Sequence, residues 1–368
     1  MSERIVIKEI CEVYDGPHAT PKKTVDGPVY LGIDAITDDG KINAKEFAHL
    51  SEEDYIKWTK RVTPQYGDIV FSYEATLGRY ALIPKDFYGC LGRRLAIIRN
   101  VSKDIDTLWL YYYFLSPEWK QFIQSKIIKG STVNRISVED FPTYTVPNIS
   151  ITVQRKIANI LSKIDEKIAL NNNINDNLEQ QIQLIFDYLF PDVCAGNKHM
   201  GDFIIPKRGK SLLSKNAVHG NVPVIAGGLE PSIYHNVANT VAPVVTISSS
   251  GANAGFVNIW GVPVWSSDSS YIDSEMSQYV YFWYAYLKRH QNNIYNIQTG
   301  SAQPHIYPSH ISSLPITDLD YKKIEKYTEI VSPIFSTITK NHVENHHLQS
   351  LRDWLLPMLM NGQATISD

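Results

Sequence analysis

The chain has 368 residues, of which 43% are hydrophobic, and a formal net charge of −3 at pH 7. This length exceeds one ordinary core, so two or three packed domains are expected and the composition argues against disorder. The slightly negative charge argues mildly against DNA as a partner, because nucleic-acid binders are usually basic overall. The three cysteines stand far apart without a CxxC pair, which favours a reducing cytoplasm over a disulfide framework.

The N-terminus, MSERIVIKEICEVYDG, carries charges at Glu3, Arg4, Lys8 and Glu9 that interrupt any apolar run. Nowhere do about 18 apolar residues follow one another, the length that a membrane span needs. We therefore expect neither a signal peptide nor a membrane span, and a cytoplasmic protein.

The first predicted element is a globular part over residues 1–149, with short β-type runs such as GDIVFSY and LAIIRNV and a helix at DTLWLYYYFLSPEWKQFIQSK. A long helix is expected next, over residues 150–191. A second globular part follows over residues 196–317, with runs such as APVVTISSS and VPVWSSD and a helix at SQYVYFWYAYLKRH. A second long helix over residues 318–362 completes the pattern.

The two globular parts end in related stretches, GSTVNRISVEDFPTYTV from Gly130 and GSAQPHIYPSHISSLPI from Gly300. Both open with Gly-Ser, and apolar residues recur at matching positions: Ile136 with Ile306, Phe141 with Ile311, and Val146 with Ile316. Each stretch leads into one of the long helices. The chain is therefore predicted to be a tandem repeat of a globular part and a helix, with a mixed α+β core in each globular part.

Both long helices carry apolar residues in two interleaved heptad rows, which is a strong coiled-coil pattern. In the first helix the rows are Ile157, Ile164, Asn171, Leu178, Ile185 and Leu161, Ile168, Asn175, Ile182, Leu189. In the second helix they are Ile324, Val331, Ile338, Asn345 and Tyr327, Ile334, Asn341, Leu348, Leu355. Asn interrupts both rows in each helix.

A buried Asn without a partner costs on the order of 1 to 3 kcal/mol, whereas facing Asn side chains can satisfy each other. If the two helices pair antiparallel, their polar centres coincide in only one axial register. We therefore expect Asn171, Asn175, Asn341 and Asn345 to fix that register, at some cost in stability. The alternative is that the NNNIN run from Asn171 breaks the helix into two, although the heptad phase is unchanged across it.

A continuous helix of about 36 residues is roughly 54 Å long. One turn of duplex DNA is ~34 Å, so two globular parts held at such a separation would suit a split recognition site with an unread gap.

The helix start QRKIANILSKID, the GST and GSA turns and the ending LRDWLLPMLMNG resemble the specificity subunit of type I restriction-modification systems. In architecture the resemblance covers essentially the whole chain. The second copy departs from the family pattern at the start of its helix, where Tyr321-Lys322-Lys323-Ile324 replaces Gln154-Arg155-Lys156-Ile157. It also has Thr317 where the first copy has Pro147.

The resemblance implies an α+β fold class, with two mixed α/β target-recognition domains separated by two long antiparallel coiled-coil helices in a pseudo-two-fold tandem repeat. Each domain would read one half of a bipartite double-stranded DNA target, and the helices would dock two methyltransferase subunits. S-adenosylmethionine, ATP and Mg²⁺ would belong to those subunits and to the endonuclease/translocase subunits, leaving this chain without cofactor, metal or catalytic residue. Because the two copies carry different loop residues, we expect an asymmetric target.

Specific DNA readout needs paired donors and acceptors for base edges, and phosphate contacts use Lys, Arg and hydroxyl groups. The loop IIKGSTVNR and its repeat IQTGSAQPH are therefore predicted to contact DNA. Their candidate residues are Lys129, Ser131, Thr132, Asn134 and Arg135 in the first copy and Gln298, Thr299, Ser301, Gln303 and His305 in the second. We hypothesise that Arg135 and Gln303 take part in reading the bases. The alternative is that these turns only connect elements and cap backbone groups.

Further candidates come from loops between strands and from a basic stretch. SYEATLGRYALIP and CLGRRLAII contribute Thr76, Arg79, Arg93 and Arg94, and TISSSGANAGFV contributes Ser248, Ser249, Ser250 and Asn253. PKRGKSLLSK clusters Lys207, Arg208, Lys210 and Lys215, and TPKKTVDG adds the weaker pair Lys22 and Lys23. A local basic cluster can bind phosphates in a chain of slightly negative net charge. The alternative is that these are ordinary solvated loops.

Catalytic patterns are missing from the sequence, which has no GxxxxGK[ST] phosphate loop and no strand followed by GxGxxG. His342 and His346 are four residues apart, but Val343 stands where a zincin needs Glu, so a polar coiled-coil centre explains them better. Asp192, Cys194 and His199 fit a linker. Two other functions stay open: a coiled-coil scaffold with two ligand-binding modules and no DNA specificity, and a hydrolase with an unrecognised site.

Overall fold

The computed structural model describes residues 3–130, 133–300 and 303–364. The α-helices are α1 (Glu52–Trp58), α2 (Thr107–Leu115), α3 (Pro117–Lys126), α4 (Ile151–Leu189), α5 (Val280–Arg289), α6 (Gln291–Asn296), α7 (Pro308–Ser312) and α8 (Tyr321–Met360). The first nine strands are β1 (Arg4–Val6), β2 (Cys11–Asp15), β3 (Thr24–Leu31), β4 (Ala48–His49), β5 (Ile69–Ser72), β6 (Tyr80–Leu82), β7 (Gly89–Leu91), β8 (Leu95–Asn100) and β9 (Thr145–Pro147). The others are β10 (Lys198–His199), β11 (Lys207–Arg208), β12 (Val222–Ile225), β13 (Ile233–His235), β14 (Val244–Ser248), β15 (Val257–Trp260), β16 (Trp265–Ser266), β17 (Ser269–Asp273) and β18 (Pro315–Ile316).

The strands of the two globular parts pair in the same topology. A four-stranded antiparallel sheet has the order β2-β8-β5-β6 in the first part and β11-β17-β14-β15 in the second. A three-stranded sheet has the order β4-β3-β7 and β13-β12-β16, and in each copy one pair is parallel. The outer strands β1 and β9, and β10 and β18, form antiparallel pairs. The repeat noticed in the closing stretches therefore extends through each globular part.

By contacts, the chain forms two compact units. The first contains Met1–Lys167 with Leu348–Asp368, and the second contains Ile168–His347. Each unit thus holds one globular part together with a segment of each long helix, because the apolar face of a helix is stable only when it is packed against other elements. The predicted domain limits at residues 149, 191, 196 and 317 treat the helices as separate domains and stay a prediction.

The core of the first unit is largely aromatic. Phe71 and Phe141 stack with ring centroids 4.6 Å apart, and Phe114 packs against Trp119 at 4.7 Å. Burying one such side chain contributes roughly 1.5–3 kcal/mol. The long helices add to this core Ile157, Ala158, Leu161, Leu356, Leu359 and Met360.

In the second unit the core is built around the C-terminal end of α4. Phe186 and Phe190 contact Phe282 of α5 at 5.6 and 5.2 Å between ring centroids, and both contact Tyr327 of α8. The heptad residues of this unit that are buried in the same core are Ile182, Ile324, Tyr327, Val331 and Ile338. Apolar heptad positions therefore pack against both the other long helix and the globular part.

The helix α4 is continuous over 39 residues and α8 over 40. The alternative that the NNNIN run breaks the first helix is therefore wrong. Asn171 lies opposite Asn345 and Asn175 opposite Asn341, so α4 and α8 run antiparallel in the second unit. The predicted α+β fold class with long antiparallel helices is confirmed. None of the helices in the described ranges combines the length and apolar character needed to span a bilayer.

Candidate nucleic-acid interface

A turn joins a central strand of the four-stranded sheet to the neighbouring edge strand in each globular part, β5 to β6 in the first and β14 to β15 in the second. In the first part Gly78 N donates to Ser72 O at 2.9 Å, and in the second Gly255 N donates to Ser248 O at 2.7 Å. Ser72 N likewise donates to Arg79 O and Ser248 N to Phe256 O, both at 3.0 Å. The loops SYEATLGR and SSSGANAGF are thus equivalent hairpin turns, which we call the sheet hairpins.

The GST and GSA loops lie directly against the sheet hairpins. Backbone bridges join Glu74 to Arg135 in the first part and Ser250 to His305 in the second. The next residue of each loop adds a hydrogen bond, from Ile136 N to Tyr73 O at 2.8 Å and from Ile306 N to Ser249 O at 2.9 Å. The structure therefore brings together two groups of candidates that are far apart in sequence, and it does so in both copies.

Backbone hydrogen bonds join the two ends of each of these loops. Ile128 and Arg135 exchange two backbone hydrogen bonds of 2.9 and 3.1 Å, and Thr299 and His305 exchange two of 3.0 and 2.7 Å. Gly300 has a φ of +92°, which favours glycine over residues with a Cβ. The loop tips are exposed, including Lys129, Asn134 and Arg135 in the first copy and Thr299 and Gln303 in the second, while His305 is half-buried. Ser131, Thr132 and Ser301 lie outside the described residues.

In the first part an ion pair stands beside the sheet hairpin. Arg94 Nε lies 3.2 Å from Glu74 Oε2. Ala75 and Arg94 have φ values of +60° and +72°, and within the described ranges no other residue except glycine has a positive φ. Strained backbone of this kind costs of order 1–3 kcal/mol per residue and concentrates at functional sites.

Next to this ion pair, Arg93 and Arg94 line an open cleft of about 350 Å³ whose wall also includes Lys23, Asp34 and Glu46. The cleft therefore mixes cations with carboxylates.

Asp15 lies close to Tyr73 of the sheet hairpin. Burial, and then the carboxylate of Asp15, raise the pKa of the Tyr73 hydroxyl, so the hydroxyl stays protonated.

In the second part a carboxylate, Asp268, connects the sheet hairpin to β11. Asp268 accepts hydrogen bonds from Ser250 Oγ of the sheet hairpin and from Arg208 Nη2 of β11, the latter at 2.7 Å. Its carbonyl oxygen accepts a third bond from Ser249 N at 3.0 Å. Three lysines in the same stretch of sequence as Arg208 are exposed, namely Lys207, Lys210 and Lys215. Glu74 and Asp268 were both missed by the sequence analysis, which searched for cations, amides and hydroxyls.

Several candidate side chains are buried or form hydrogen bonds within the protein. Arg79 donates to both carboxylate oxygens of Asp38, at 2.6 and 3.0 Å, and to Ile36 O at 3.1 Å, so its guanidinium holds the sheet hairpin to a neighbouring loop. Ser248 and Ser249 are buried, which places their hydroxyls beneath the surface. Gln298 donates to Ala254 O at 2.7 Å and so braces the second hairpin. For these four residues the geometry favours a structural role over a DNA contact.

The remaining candidates lie at or near the surface of their loops. Arg93 is exposed, and its backbone N donates to Tyr30 Oη at 3.0 Å. Thr76 and Asn253 are half-buried in the sheet hairpins. The weaker pair Lys22 and Lys23 is exposed as well.

Asn side chains connect α4 and α8 near the end of the helical segments that belong to the second unit. Asn171 Nδ2 donates to Asn345 Oδ1 at 2.8 Å, Asn345 Nδ2 to Asn172 Oδ1 at 2.8 Å, and Asn341 Nδ2 to Asn175 Oδ1 at 2.7 Å. Asn171, Asn175 and Asn345 are buried. The contacts are those expected of a register-setting cluster, and that role stays a prediction.

In the first unit an arginine–aspartate ion pair joins the same two helices. Arg352 Nη1 of α8 donates to Asp165 Oδ1 of α4 at 2.9 Å, and Tyr112 of α2 donates to Asp165 Oδ2 at 2.7 Å. Gln154 at the start of α4 is fully buried and makes three hydrogen bonds, to Asp106 N, Asp104 O and Ile149 O. The Gln of the QRKIA start thus anchors the helix to the globular part.

The histidines near the Asn cluster contact aromatic and polar groups. The ring of His346 stacks on Tyr234 with centroids 4.6 Å apart, and the two side chains lie within hydrogen-bond distance at 3.2 Å. Burial lowers the pKa of His342. Among the residues that the structure describes, no group of three or more His, Cys, Asp and Glu side chains could hold a metal ion.

Comparison with known proteins gives one consistent family. Residues 2–180 match the family model described as the Type I restriction modification DNA specificity domain. The chain is 22% identical over 363 residues to the Type I restriction enzyme MjaIX specificity subunit of Methanocaldococcus jannaschii, covering 87% of this chain and 82% of that protein. It is 25% identical over 185 residues to the Type I restriction enzyme HindI specificity subunit of Haemophilus influenzae, covering 47% and 40%.

A solved structure shares the fold. The crystal structure of the S subunit of a type I restriction-modification system from M. genitalium aligns with a TM-score of 0.59 and 17% identity, covering 99% of this chain and 96% of that one. At this identity the likeness supports the fold alone.

Proposed function

We propose that this chain is a specificity subunit of the type I restriction-modification family and that each of its two globular parts reads one half of a bipartite DNA target. The chain itself is not a catalyst in this proposal. It gives sequence choice to separate modification and restriction subunits, which would supply S-adenosylmethionine, ATP and Mg²⁺ sites. The scaffold and hydrolase alternatives have no support from the comparisons.

The observation that carries the proposal is the junction of loop and sheet hairpin, which has the same backbone hydrogen bonds in both parts but different side chains. The first junction presents Arg135 and Asn134, and the second presents His305 and Gln303. A common backbone with different polar groups is what two readers of different sequences require, since base edges are distinguished by their donor and acceptor patterns. The proposal therefore includes an asymmetric target.

Phosphate contacts are assigned to exposed lysines around the junctions, namely Lys129 in the first part and Lys207, Lys210 and Lys215 in the second. Contacts of this kind position a protein on the duplex without carrying sequence information. They depend on local charge, so the net charge of −3 does not oppose them.

The long helices are proposed to dock the methyltransferase subunits. Exposed apolar residues of α4 recur on one face at Leu170, Ile174, Leu184 and Tyr188, and Tyr188 is 85% exposed. Residues four and fourteen positions apart fall on the same side of an α-helix, because four turns take about 14.4 residues. An exposed apolar stripe is costly in water and is typical of a surface that binds another protein.

The proposed reading residues can be tested by substitution. Arg135→Ala and Gln303→Ala are expected to weaken discrimination against mismatched bases, each in its own half-site, by roughly 1–3 kcal/mol. The measurement is competition binding of the full-length chain, with its modification partner, to the cognate duplex and to duplexes scrambled in one half, at fixed salt. Val101→Ala, at an exposed apolar position outside the segments that carry the candidate residues, is the control. If both variants keep the wild-type preference in both halves, the assignment of these residues is refuted.

A further inference from the structure

The hydrogen bonds of the two globular parts define which residues are equivalent. Tyr73 N donates to Arg94 O at 3.1 Å, and Ser249 N donates to Asp268 O at 3.0 Å, so Arg94 corresponds to Asp268. The bridges described above make Glu74 equivalent to Ser250.

The same register extends to the first strand of each four-stranded sheet. Gly16 N donates to Leu95 O and Gly209 N to Ser269 O, at 3.0 and 2.8 Å. The residues that precede these glycines, Asp15 and Arg208, therefore occupy equivalent positions in the two parts.

At these equivalent positions the charges are rearranged. The first part has carboxylates at 15 and 74 and an arginine at 94, whereas the second has an arginine at 208, a hydroxyl at 250 and a carboxylate at 268. Each part nevertheless forms an arginine–carboxylate pair beside its sheet hairpin, Arg94 with Glu74 and Arg208 with Asp268. The arginine therefore comes from a different strand end in each copy.

Arg208 is held firmly but stays accessible. Its strand, β11, pairs with β17, and a Cβ on the following residue, Gly209, would collide with Ser266, so the backbone lies close against the sheet. One amino group of the guanidinium donates to Asp268, while the side chain is 43% exposed. A guanidinium oriented by a carboxylate loses less conformational entropy when it binds a second planar partner.

A base edge fits this arginine better than a phosphate does. The carboxylate of Asp268 would repel a phosphate group brought to the same guanidinium, because like charges a few ångströms apart raise the energy. The O6 and N7 atoms of guanine are uncharged acceptors that match the two-pronged guanidinium. Lys207 and Lys210 are exposed and fit the phosphate role instead.

Resting on the proposed function, we propose that Arg208, oriented by Asp268, reads a guanine in the half-site bound by the second globular part. Asp268 is a positioning residue in this assignment, because it holds both Arg208 and Ser250 of the sheet hairpin. The ligand is thus a G·C pair read through its major-groove edge.

The test uses the full-length chain assembled with its modification subunit. Wild type, Arg208→Lys and Asp268→Asn are measured by competition against a set of duplexes that carries every single base-pair substitution in both half-sites. Arg208→Lys keeps the charge and loses the two-pronged geometry, and Asp268→Asn keeps the shape and loses the charge. Lys210→Gln is the matched control, expected to weaken all duplexes uniformly and to reduce the salt dependence of binding.

The expected result is local. Arg208→Lys should lower the preference for G·C at one position of one half-site by roughly tenfold to a hundredfold, with the other half-site and the salt dependence unchanged. Asp268→Asn should lower the preference at that same position by a smaller factor. A uniform loss across all duplexes in Arg208→Lys, or preference unchanged at every G·C pair, overturns the inference while the proposed function stands. A wild-type complex with no half-site preference refutes the proposed function and the inference with it.

Thermal unfolding monitored by circular dichroism identifies any variant that is unstable. In that case Arg208→Gln, which retains a planar donor group, is measured in place of the unstable variant. This variant is expected to shift the preference at the same position towards A·T, because Gln pairs with adenine. Retained G·C preference in Arg208→Gln counts against the inference.

Discussion

Two carboxylates, Glu74 and Asp268, stand at the centre of surfaces that we propose bind a polyanion. Their role is explained by the arginines beside them: Glu74 forms an ion pair with Arg94, and a charge-assisted hydrogen bond to Asp268 fixes the direction in which the guanidinium of Arg208 points. Composition cannot reveal such a pair. Arg208 and Asp268 are 60 positions apart in the chain, and only the pairing of β11 with β17 brings them together.

Arginines of similar appearance in sequence have different environments in the structure. Arg79 follows the first sheet hairpin and was an obvious candidate for DNA contact, yet its guanidinium is occupied by Asp38 and Ile36 O. Arg135 is exposed at the loop tip. Turns and polar clusters are local signals, so sequence reasoning could propose candidate segments, but it could not rank the residues within them.

Buried His290 leads to a prediction on pH. Burial lowers the pKa of its imidazole, and its Nδ1 lies 3.1 Å from Asn293 Nδ2. Because the unfolded chain, with a histidine pKa of about 6.5, binds this proton more readily, the stabilisation is present at neutral pH and is lost as the pH falls below that value. His290→Gln should therefore make the free energy of unfolding less dependent on pH between about pH 7 and pH 5.

The measurement is urea denaturation at several pH values, with the exposed His219→Gln as the matched control. The pH dependence of His290→Gln should be weaker than that of the control. Identical slopes for both variants would show that His290 does not titrate differently in the folded protein.

At the scale of elements, the long helices were the most predictable part of the molecule. Heptad spacing is a local property, so α4 and α8 could be predicted, and the unbroken phase across NNNIN correctly indicated one helix. The anchoring of α4 could not be predicted in the same way. Gln154 contacts Asp104 and Asp106, which belong to the loop before α2, and this depends on how the globular part folds.

The Asn cluster between α4 and α8 gives a second prediction. Asn345→Ala removes one of the two acceptors of Asn171 Nδ2, the other being Glu344 Oε2, and it removes the donor to Asn172 Oδ1. Each lost hydrogen bond contributes about 0.5–1.5 kcal/mol, so the loss of two should lower the free energy of unfolding by about 1–3 kcal/mol. Asn177→Ala is the control, since Asn177 is an exposed Asn of α4 whose side chain donates to Asn173 O of the same helix.

Both substitutions gain the same helix propensity, so their difference in urea denaturation isolates the interhelical contact. Equal free energies of unfolding for Asn345→Ala and Asn177→Ala would show that the Asn pairs do not hold the helices together.

At the scale of the whole molecule, the internal repeat dominates. Two stretches beginning at Gly130 and Gly300 revealed it in the sequence, but the shared strand topology of the two globular parts was visible only in the structure. Backbone hydrogen bonds preserve the repeat even where side chains have diverged, as at Glu74 and Ser250. Divergence on a common backbone is the physical basis for expecting two different half-sites.

The most direct test of this account is the selection of duplexes from a randomised DNA pool by the full-length chain assembled with the proposed modification subunit. The bound fraction is then sequenced. We predict a motif of two conserved blocks that differ from each other and are separated by a gap of constant length and unconstrained sequence. A single continuous block, two identical blocks in inverted repeat, or a bound fraction as random as the starting pool would contradict it.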